Sequence, residues 1–311
     1  MTQKLLASPA QNLRRPMPRA FVAINAHPFH DLSEVSNLID SVKKAVDHYR
    51  RHSSKRIKCV FFWHNSAPID HALKAEIVHA GYDIKHYQHA SNGENLNAQI
   101  SHAVEAGSDI FFRVDADDLV AENRFTLQSE AISSNLCDMC GMSLRYIPDK
   151  GESFITQPPA RPKARDFLEN AFVLHPTLAI KLSALLNCGL LYSAARLEDK
   201  ALYLDAVSSG LRILNLNTLG GHYRVATNTR SALHLKLRNL RLNLIFLVRT
   251  RQVKLLPYAL VLFAAQVLIS PGKLRFFRSL RCSRRRRHIG RAWIQEITRA
   301  FKPKLINFRF F

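Results

Sequence analysis

Four short, β-rich apolar runs alternate with three helical stretches in the first 118 residues, and this rhythm narrows the chain to one class of fold. The runs cover residues 20–25, 57–63 and 82–87, and the fourth begins at Ile110. After the first, Asp31-Leu32-Ser33-Glu34 has capping-box spacing. Val35, Leu38, Ile39, Val42, Val46 and Tyr49 then share one helical face. A second helix is expected to start at Ser66-Ala67-Pro68, turn Leu73 and Ile77 inward, and end at Gly81. A third is expected over residues 95–106, through Leu96, Ile100 and Val104, with Gly107 stopping it. The βαβαβαβ order predicts an α/β fold whose doubly wound, mostly parallel central sheet is flanked by helices. Such sheets bind ligands beyond the carboxyl ends of their strands.

The fourth run ends in chemistry. Ile110-Phe111-Phe112-Arg113-Val114 leads into Asp115-Ala116-Asp117-Asp118, three carboxylates within four residues. Carboxylates this close raise one another's pKa unless a cation lies between them. Residues two apart in an extended segment face the same way. Asp115 and Asp117 can therefore address one hard divalent ion, Mg²⁺ or Mn²⁺, with substrate phosphates completing its shell. The plainer alternative is an acidic loop that caps the next helix.

Beyond this point a helix is expected near residues 123–135, a strand near 137–146 and a return strand at 153–157. Pro158-Pro159-Ala160-Arg161-Pro162 breaks regular structure. A strand near 172–180, a helix over 197–209 ended by Gly210, and a last strand over 211–216 complete the pattern. The five cysteines are odd in number and scattered, so no disulfide framework is implied. Cys137 and Cys140 read as part of a buried strand rather than half of a metal site.

Several of these segments together resemble one family. Asn92-Gly93-Glu94-Asn95-Leu96-Asn97, the helix ending at Ala106-Gly107, and the strand running to Asp115-Ala116-Asp117-Asp118 follow in order. Leu197-Glu198-Asp199 precedes Gly210, His175-Pro176-Thr177 lies between, and Tyr223-Arg224 with Ser231 closes the set. From residue 20 to 231 the chain resembles the family 2 glycosyltransferases, inverting enzymes of GT-A fold that use nucleotide-sugar donors. The resemblance implies Asp117 as the direct metal ligand, with Asp115 assisting it or the ribose. It implies a donor site formed by Asn25, Asn65, Asn92, Asn97 and Asp115, and Asp199 as the base that takes the acceptor's proton. Glu198, His175 and Arg224 would support the site or contact the acceptor. Asp118 would cap the next helix or orient the donor.

The chain also departs from the family pattern. Trp63-His64-Asn65-Ser66 stands where members carry an acidic turn toward the nucleobase, Leu96 replaces an Arg, and Ala226 replaces a His near the metal. These departures keep a second class of function in view, a catalytically silent GT-A-like module acting as a membrane or nucleic-acid adaptor. The pairs His86 with His89 and His27 with His30 have metal-like spacing but no third ligand.

Charge divides the chain. Residues 1–235 carry 26 Lys and Arg against 23 Asp and Glu, whereas residues 236–311 carry 19 against 1. Residues 1–18, with three prolines and no apolar core, read as a disordered leader without a secretory signal. Residues 19–235 read as the glycosyltransferase domain. Residues 236–311 read as a basic, apolar, helical tail for membrane association. Its apolar runs at 242–248 and 255–269 fall short of the ~20 residues needed to span a bilayer. The expectation is a peripheral protein on the cytoplasmic, inner face of the cell membrane. Arg275 to Arg287 would lie on anionic headgroups, with Phe276, Phe277 and Trp293 at the interface. The expected partners are a nucleotide-sugar donor, a glycan or lipid-linked acceptor and an anionic membrane surface. Lipid is favoured over nucleic acid because of the apolar runs. The other reading of the tail is a helical pair packed on the domain with a solvated basic face.

Overall fold

A computed structural model describes residues 19–27, 32–53, 56–64, 68–89, 91–148, 152–170, 172–225 and 233–268. The expected αβ alternation is present. β1 (Ala20–Ala26), α1 (Leu32–His52), β2 (Ile57–His64), α2 (His71–His79), β3 (Asp83–Tyr87), α3 (Asn92–Glu105) and β4 (Ile110–Asp115) form the first half. β1 pairs in parallel with both β2 and β4, and β2 pairs in parallel with β3. The second half contains β5 (Leu119–Val120), α4 (Arg124–Ser133), β6 (Met139–Pro148), β7 (Phe154–Thr156), α5 (Ala164–Leu168), β8 (Ala179–Lys181), α6 (Leu182–Asn187), α7 (Glu198–Ser208) and β9 (Ile213–Val225). The sheet order is β3-β2-β1-β4-β8-β6-β9-β5, with β7 on β6. β8 is antiparallel to both β4 and β6, while β6 and β9 are parallel.

The sheet separates two cores, as the alternation of each strand requires. Val22, Ile24, Phe112 and Val114 face α1, whose Val35, Leu38, Ile39, Val42, Val46 and Tyr49 are all buried as expected. Phe21, Ala23 and Phe111 face the opposite way, onto α3, α6 and α7. α8 (Leu233–Arg249) and α9 (Leu256–Leu268) form a hairpin on this second side. Phe246 is 1% exposed and its ring lies 5.5 Å from Phe167 of α5. Leu247 and Ala259 are buried with it. The core therefore runs across the expected boundary at residue 235, and the hairpin packs on the domain. Among the described residues no helix is long and apolar enough to cross a membrane.

Several local expectations are corrected. α2 starts at His71, not at Ser66, because the Asp70 carboxylate accepts from the Ala72 and Leu73 amides and caps the helix there. α3 starts three residues early, since Ser91 and Glu94 form a complete capping box around Asn92-Gly93. The segment expected as a strand over 172–180 is instead a loop and a 3₁₀ turn, His175–Thr177, before the short β8. The last strand runs well past residue 216. Gly220 and Gly221 let β9 pass against β6 and β5, where a Cβ would overlap Met142 and the Leu119 carbonyl. Cys137 and Cys140 are buried, unbridged thiols. The proposed cap at Asp31, the Ser66 turn, Ala226, Ser231, the leader and residues 269–311 lie outside the described residues.

Candidate active site

A cleft of about 600 Å³ opens at the carboxyl ends of β1 to β4. Each parallel strand delivers its last residues to it. β1 gives Asn25, β2 gives His64, β3 gives Tyr87, and β4 gives Asp115 with Asp117 just beyond; Asn92 and Asn95 line it from the start of α3. The imidazoles of His27 and His64 lie 4.8 Å apart, and His64 is 5.5 Å from the Tyr87 ring. This end of the cleft offers flat aromatic faces. Asn25 accepts hydrogen bonds from Tyr87 Oη and from Gln99 Nε2. With its oxygen so engaged, Asn25 has its amide N–H groups to offer a ligand. Burial pushes the Tyr87 phenol up to about 12, so it stays a neutral donor.

The carboxylates at the end of β4 are not equivalent. Asp115 accepts from Arg113 Nη2 at 2.7 Å. Asp117 lines the cleft. Asp118 is only 5% exposed, and neither of its carboxylate oxygens has a hydrogen-bond partner. Burial first, then Asp115 and Asp117, push its carboxyl well above the ordinary range, against the pull of Arg113 and Arg124. A capping role for Asp118 is excluded, because α4 begins only at Arg124, after Asn123. Three hard oxygen donors, one of them with two orphaned atoms, fit a Mg²⁺ or Mn²⁺ ion chemically. Among the described residues, though, no three His, Cys, Asp or Glu side chains already converge as a metal cage. Any such ion would draw much of its shell from the substrate.

Arg113 connects the strand end to a second group of polar residues beside the cleft. It is buried, with Nε and Nη1 lacking hydrogen-bond partners. Its charge acts on Asp115 and Asp118 on one side and on His175, Tyr192 and Asp199 on the other. That second group lies on α7 and the segments before it, and Asp199 is not among the residues that line the cleft. Leu197 precedes α7 with φ of 67°, a left-handed conformation that a leucine adopts at a cost. The resulting sharp turn sets Glu198 and Asp199 in the first helical turn. Glu198 accepts from Asn92 Nδ2 at 2.6 Å, which joins α7 to the cleft lip. Asp199 is half-buried, and burial followed by Glu198 raises its carboxyl above the ordinary value.

Other expected residues hold the frame. Asn97 does not line the cleft. Its amide clasps the backbone of Tyr192, donating to the carbonyl at 2.9 Å and accepting from the N–H at 2.8 Å. Tyr192 in turn shares a hydrogen bond of 3.0 Å with His175 Nε2. Burial and Arg113 hold His175 well below its usual pKa, so its imidazole is neutral. Arg224 pairs with Glu34 of α1 at the end of β9, while its neighbour Tyr223 reaches the cleft. Asn65 lies outside the described residues. Sequence reasoning missed Tyr87, His64, Asn95 and Tyr223 as lining residues. The rule that ligands sit at strand carboxyl ends points to the first two, since each closes its strand. Gly93 lies in the first turn of α3 and is buried. A Cβ there would overlap the Ser193 carbonyl, so glycine is what lets α3 touch the segment before α7.

No protein-family model matches the chain, and no curated protein matches it in sequence. Solved structures do match. The chain is similar to S. aureus TarS 1–349 in complex with UDP-GlcNAc, with a TM-score of 0.54 and 14% identity over 74% of this chain and 66% of that one. TarS 1–349 in complex with UDP gives 0.54 and 13% over 74% and 65%. The longer TarS structure gives 0.53 and 14%, and the match spans 39% of its length. The chain thus spans just under two thirds of the TarS 1–349 structures it matches. At these identities the likeness concerns architecture, and the fold is that of the GT-A glycosyltransferases.

Proposed function

We propose that the protein is an inverting glycosyltransferase of the family 2 type, moving a sugar from a nucleotide-sugar donor to an acceptor hydroxyl. The observation that carries this is the junction of two acid-bearing segments. The acid-tipped end of β4 lines the cleft, and the carboxylate-bearing turn of α7 is held against the cleft lip by the hydrogen bond from Asn92 to Glu198, with the charge of Arg113 acting on both Asp115 and Asp199. A fold neighbour whose structure holds UDP-GlcNAc supports the donor class.

In this reading the nucleobase lies against His64 and Tyr87, where stacking is available, and Asn25 donates to the nucleotide. Asp115, Asp117 and Asp118 would hold a Mg²⁺ or Mn²⁺ ion. When bound, it would offset charge on the departing diphosphate. Arg113 fixes the direction of Asp115. Asp199 receives the acceptor proton as the acceptor oxygen bonds to the anomeric carbon and the bond from that carbon to the phosphate oxygen breaks. Its raised pKa makes it a better base than an exposed aspartate, a contribution typically worth 10²–10⁴-fold. One base and one direct displacement invert the anomeric centre. The neutral His175 and Tyr192 keep the floor of this region ordered.

The acceptor is a glycan or lipid-linked saccharide, and the pathway is cell-surface polysaccharide synthesis on the cytoplasmic face of the membrane. Support for the membrane comes from the hairpin. Leu233, Leu237, Val248, Leu260 and Val261 are exposed on α8 and α9 among Arg241, Arg249, Arg251 and Lys254. Apolar residues set among cations suit an anionic lipid surface.

The test is turnover of a panel of UDP-, GDP- and dTDP-sugars with and without Mn²⁺. Asp117→Ala and Asp199→Asn should each lower kcat by at least about 10²-fold. The acid limb of kcat/KM should lie above the ordinary aspartate range, because Asp199 must be deprotonated to act. Full activity in either variant would refute the assignment.

A further inference from the structure

Lys200 directly follows Asp199 and is 3% exposed. A lysine is seldom buried so completely unless its ammonium is matched by acceptors. Its Nζ donates to Asn170 Oδ1 at 2.7 Å and to Asn239 Oδ1 at 2.6 Å. These two acceptors come from distant parts of the chain. Asn170 sits in the turn after α5 with φ of 56°. Asn239 is a buried residue of α8, and its Nδ2 donates to Gln266 Oε1 of α9 at 3.2 Å. One ammonium therefore gathers the first turn of α7, the turn after α5 and the α8–α9 hairpin.

The same residue touches the candidate base through its backbone. The Lys200 N–H donates to Asp199 Oδ1 at 2.6 Å. The turn that it anchors is the strained one, since the left-handed Leu197 supplies the carbonyl that accepts the Ala201 N–H at 3.0 Å. A helix start bent against its preference needs something to hold it.

We infer that Lys200 is a positioning residue for Asp199, a buried cation through which the α8–α9 hairpin holds the base-bearing turn of α7 against the cleft lip. This rests on the reading of Asp199 as the base. The hairpin then belongs to the active-site scaffold, and a force applied to it is felt at the carboxylate. The charged and titratable groups facing Asp199 are Glu198 and Lys200 of α7, Arg113 of β4, and the phenols of Tyr192 and Tyr203. Burial and Glu198 favour the neutral acid; the Lys200 N–H, Arg113 and the Lys200 ammonium favour the carboxylate.

The experiment is a carboxyl titration of full-length protein labelled with ¹³C-aspartate, with the Asp199 resonance identified by its loss in Asp199→Asn. Lys200→Gln keeps a donor for the two asparagines and removes the charge. It should raise the Asp199 midpoint by roughly half a pH unit or more, and Lys200→Arg should restore the original value. Lys200→Met serves as the neutral variant if the glutamine protein does not fold. The acid limb of kcat/KM should move with the midpoint while the donor KM stays unchanged. Asn239→Leu, two links away on the hairpin, should shift the Asp199 resonance and lower kcat by roughly tenfold. An unchanged midpoint in a folded neutral variant overturns the role of Lys200, and an unmoved resonance in Asn239→Leu overturns that of the hairpin. The titration needs no turnover, so it decides this point even if the transfer assay fails and the catalytic reading falls.

Discussion

Asp118→Asn is expected to stabilise the ligand-free protein while abolishing sugar transfer. In the native fold both Asp118 oxygens are buried without hydrogen-bond partners, beside two like charges. In the unfolded chain the same carboxyl ionises near its ordinary value of about 3.9. Its folded pKa is raised, so folding takes up a proton at pH values between the ordinary and the raised pKa, and the linkage sign follows. No penalty exists below about pH 4, where both states are protonated. The penalty grows as pH rises above that and levels off past the raised folded value. Asparagine cannot ionise and escapes it, although its own buried amide still needs partners. A buried polar group left unsatisfied costs about 1–3 kcal/mol, and more when charged. A net gain of about 1–2 kcal/mol is therefore expected at pH 7.5. For a chain of this size that is a rise in Tm of about 2–8 °C. The assay is thermal unfolding by circular dichroism in chelator, without nucleotide, from pH 5 to 8. The gap between variant and wild type should narrow as pH falls. Mn²⁺ with UDP should raise the wild-type Tm and leave that of Asp118→Asn nearly unchanged. A variant that melts below wild type throughout, or a gap that widens toward acid, would refute the reasoning.

Three other outcomes follow from the packing. Phe246→Ala should cost about 3–5 kcal/mol in urea unfolding, because the ring is buried on Phe167. Val248→Ala, two residues on and 69% exposed, should change stability by less than about 0.5 kcal/mol; equal effects would mean that the hairpin is not part of the core. Gly93→Ala should cost about 1–3 kcal/mol through overpacking on the Ser193 carbonyl, and should lower kcat by loosening Asn92 from Glu198, which a folded variant of wild-type activity would contradict. Leu197→Gly should be nearly neutral in stability, since relief of about 1–2 kcal/mol of left-handed strain is offset by chain entropy, yet it should reduce kcat measurably by freeing the turn that carries Asp199.

Much of the fold was legible because periodicity speaks for itself. All six residues named on the inner face of α1 are buried, and the first four strands pair in parallel in the order β3-β2-β1-β4. Capping proved harder to place. Asp70 and Ser91 start α2 and α3, whereas the pattern alone points to Pro68 and Asn95, signals that hold only on average. The short β8 and the bulged β9 exist through pairing with distant strands, so no local window encodes them. Within the site, acid spacing was enough to find Asp115 and Asp117. It could not show that Asn97 serves the backbone of Tyr192, ninety-five residues away, nor that Lys200 is buried. On a helix whose first turn carries Glu198 and Asp199, a lysine reads as a solvated counter-charge, and only the packing of α8 closes over it.

The places where this chain breaks ordinary rules lie close together. Leu197 takes a left-handed conformation, Asp118 buries two unpartnered oxygens, and Arg113 buries two unpartnered N–H groups. Each is worth roughly 1–3 kcal/mol of instability, against a total stability of only about 5–15 kcal/mol for a typical domain. Scattered at random, such defects would be lost to substitution, since Gly, Asn and Met at these positions would relieve them. Here they converge on the carboxyl end of β4 and the start of α7. Arg113 and Asp118 have charges of opposite sign, yet the orphaned atoms of each remain unmatched by the other. The chain thus holds donors and acceptors apart within one small volume. Local rules fail where a fold is shaped for something other than its own stability, and the end of β4 gives the cleft Asp115 and Asp117, while the start of α7 is tied to its lip through Asn92 and Glu198.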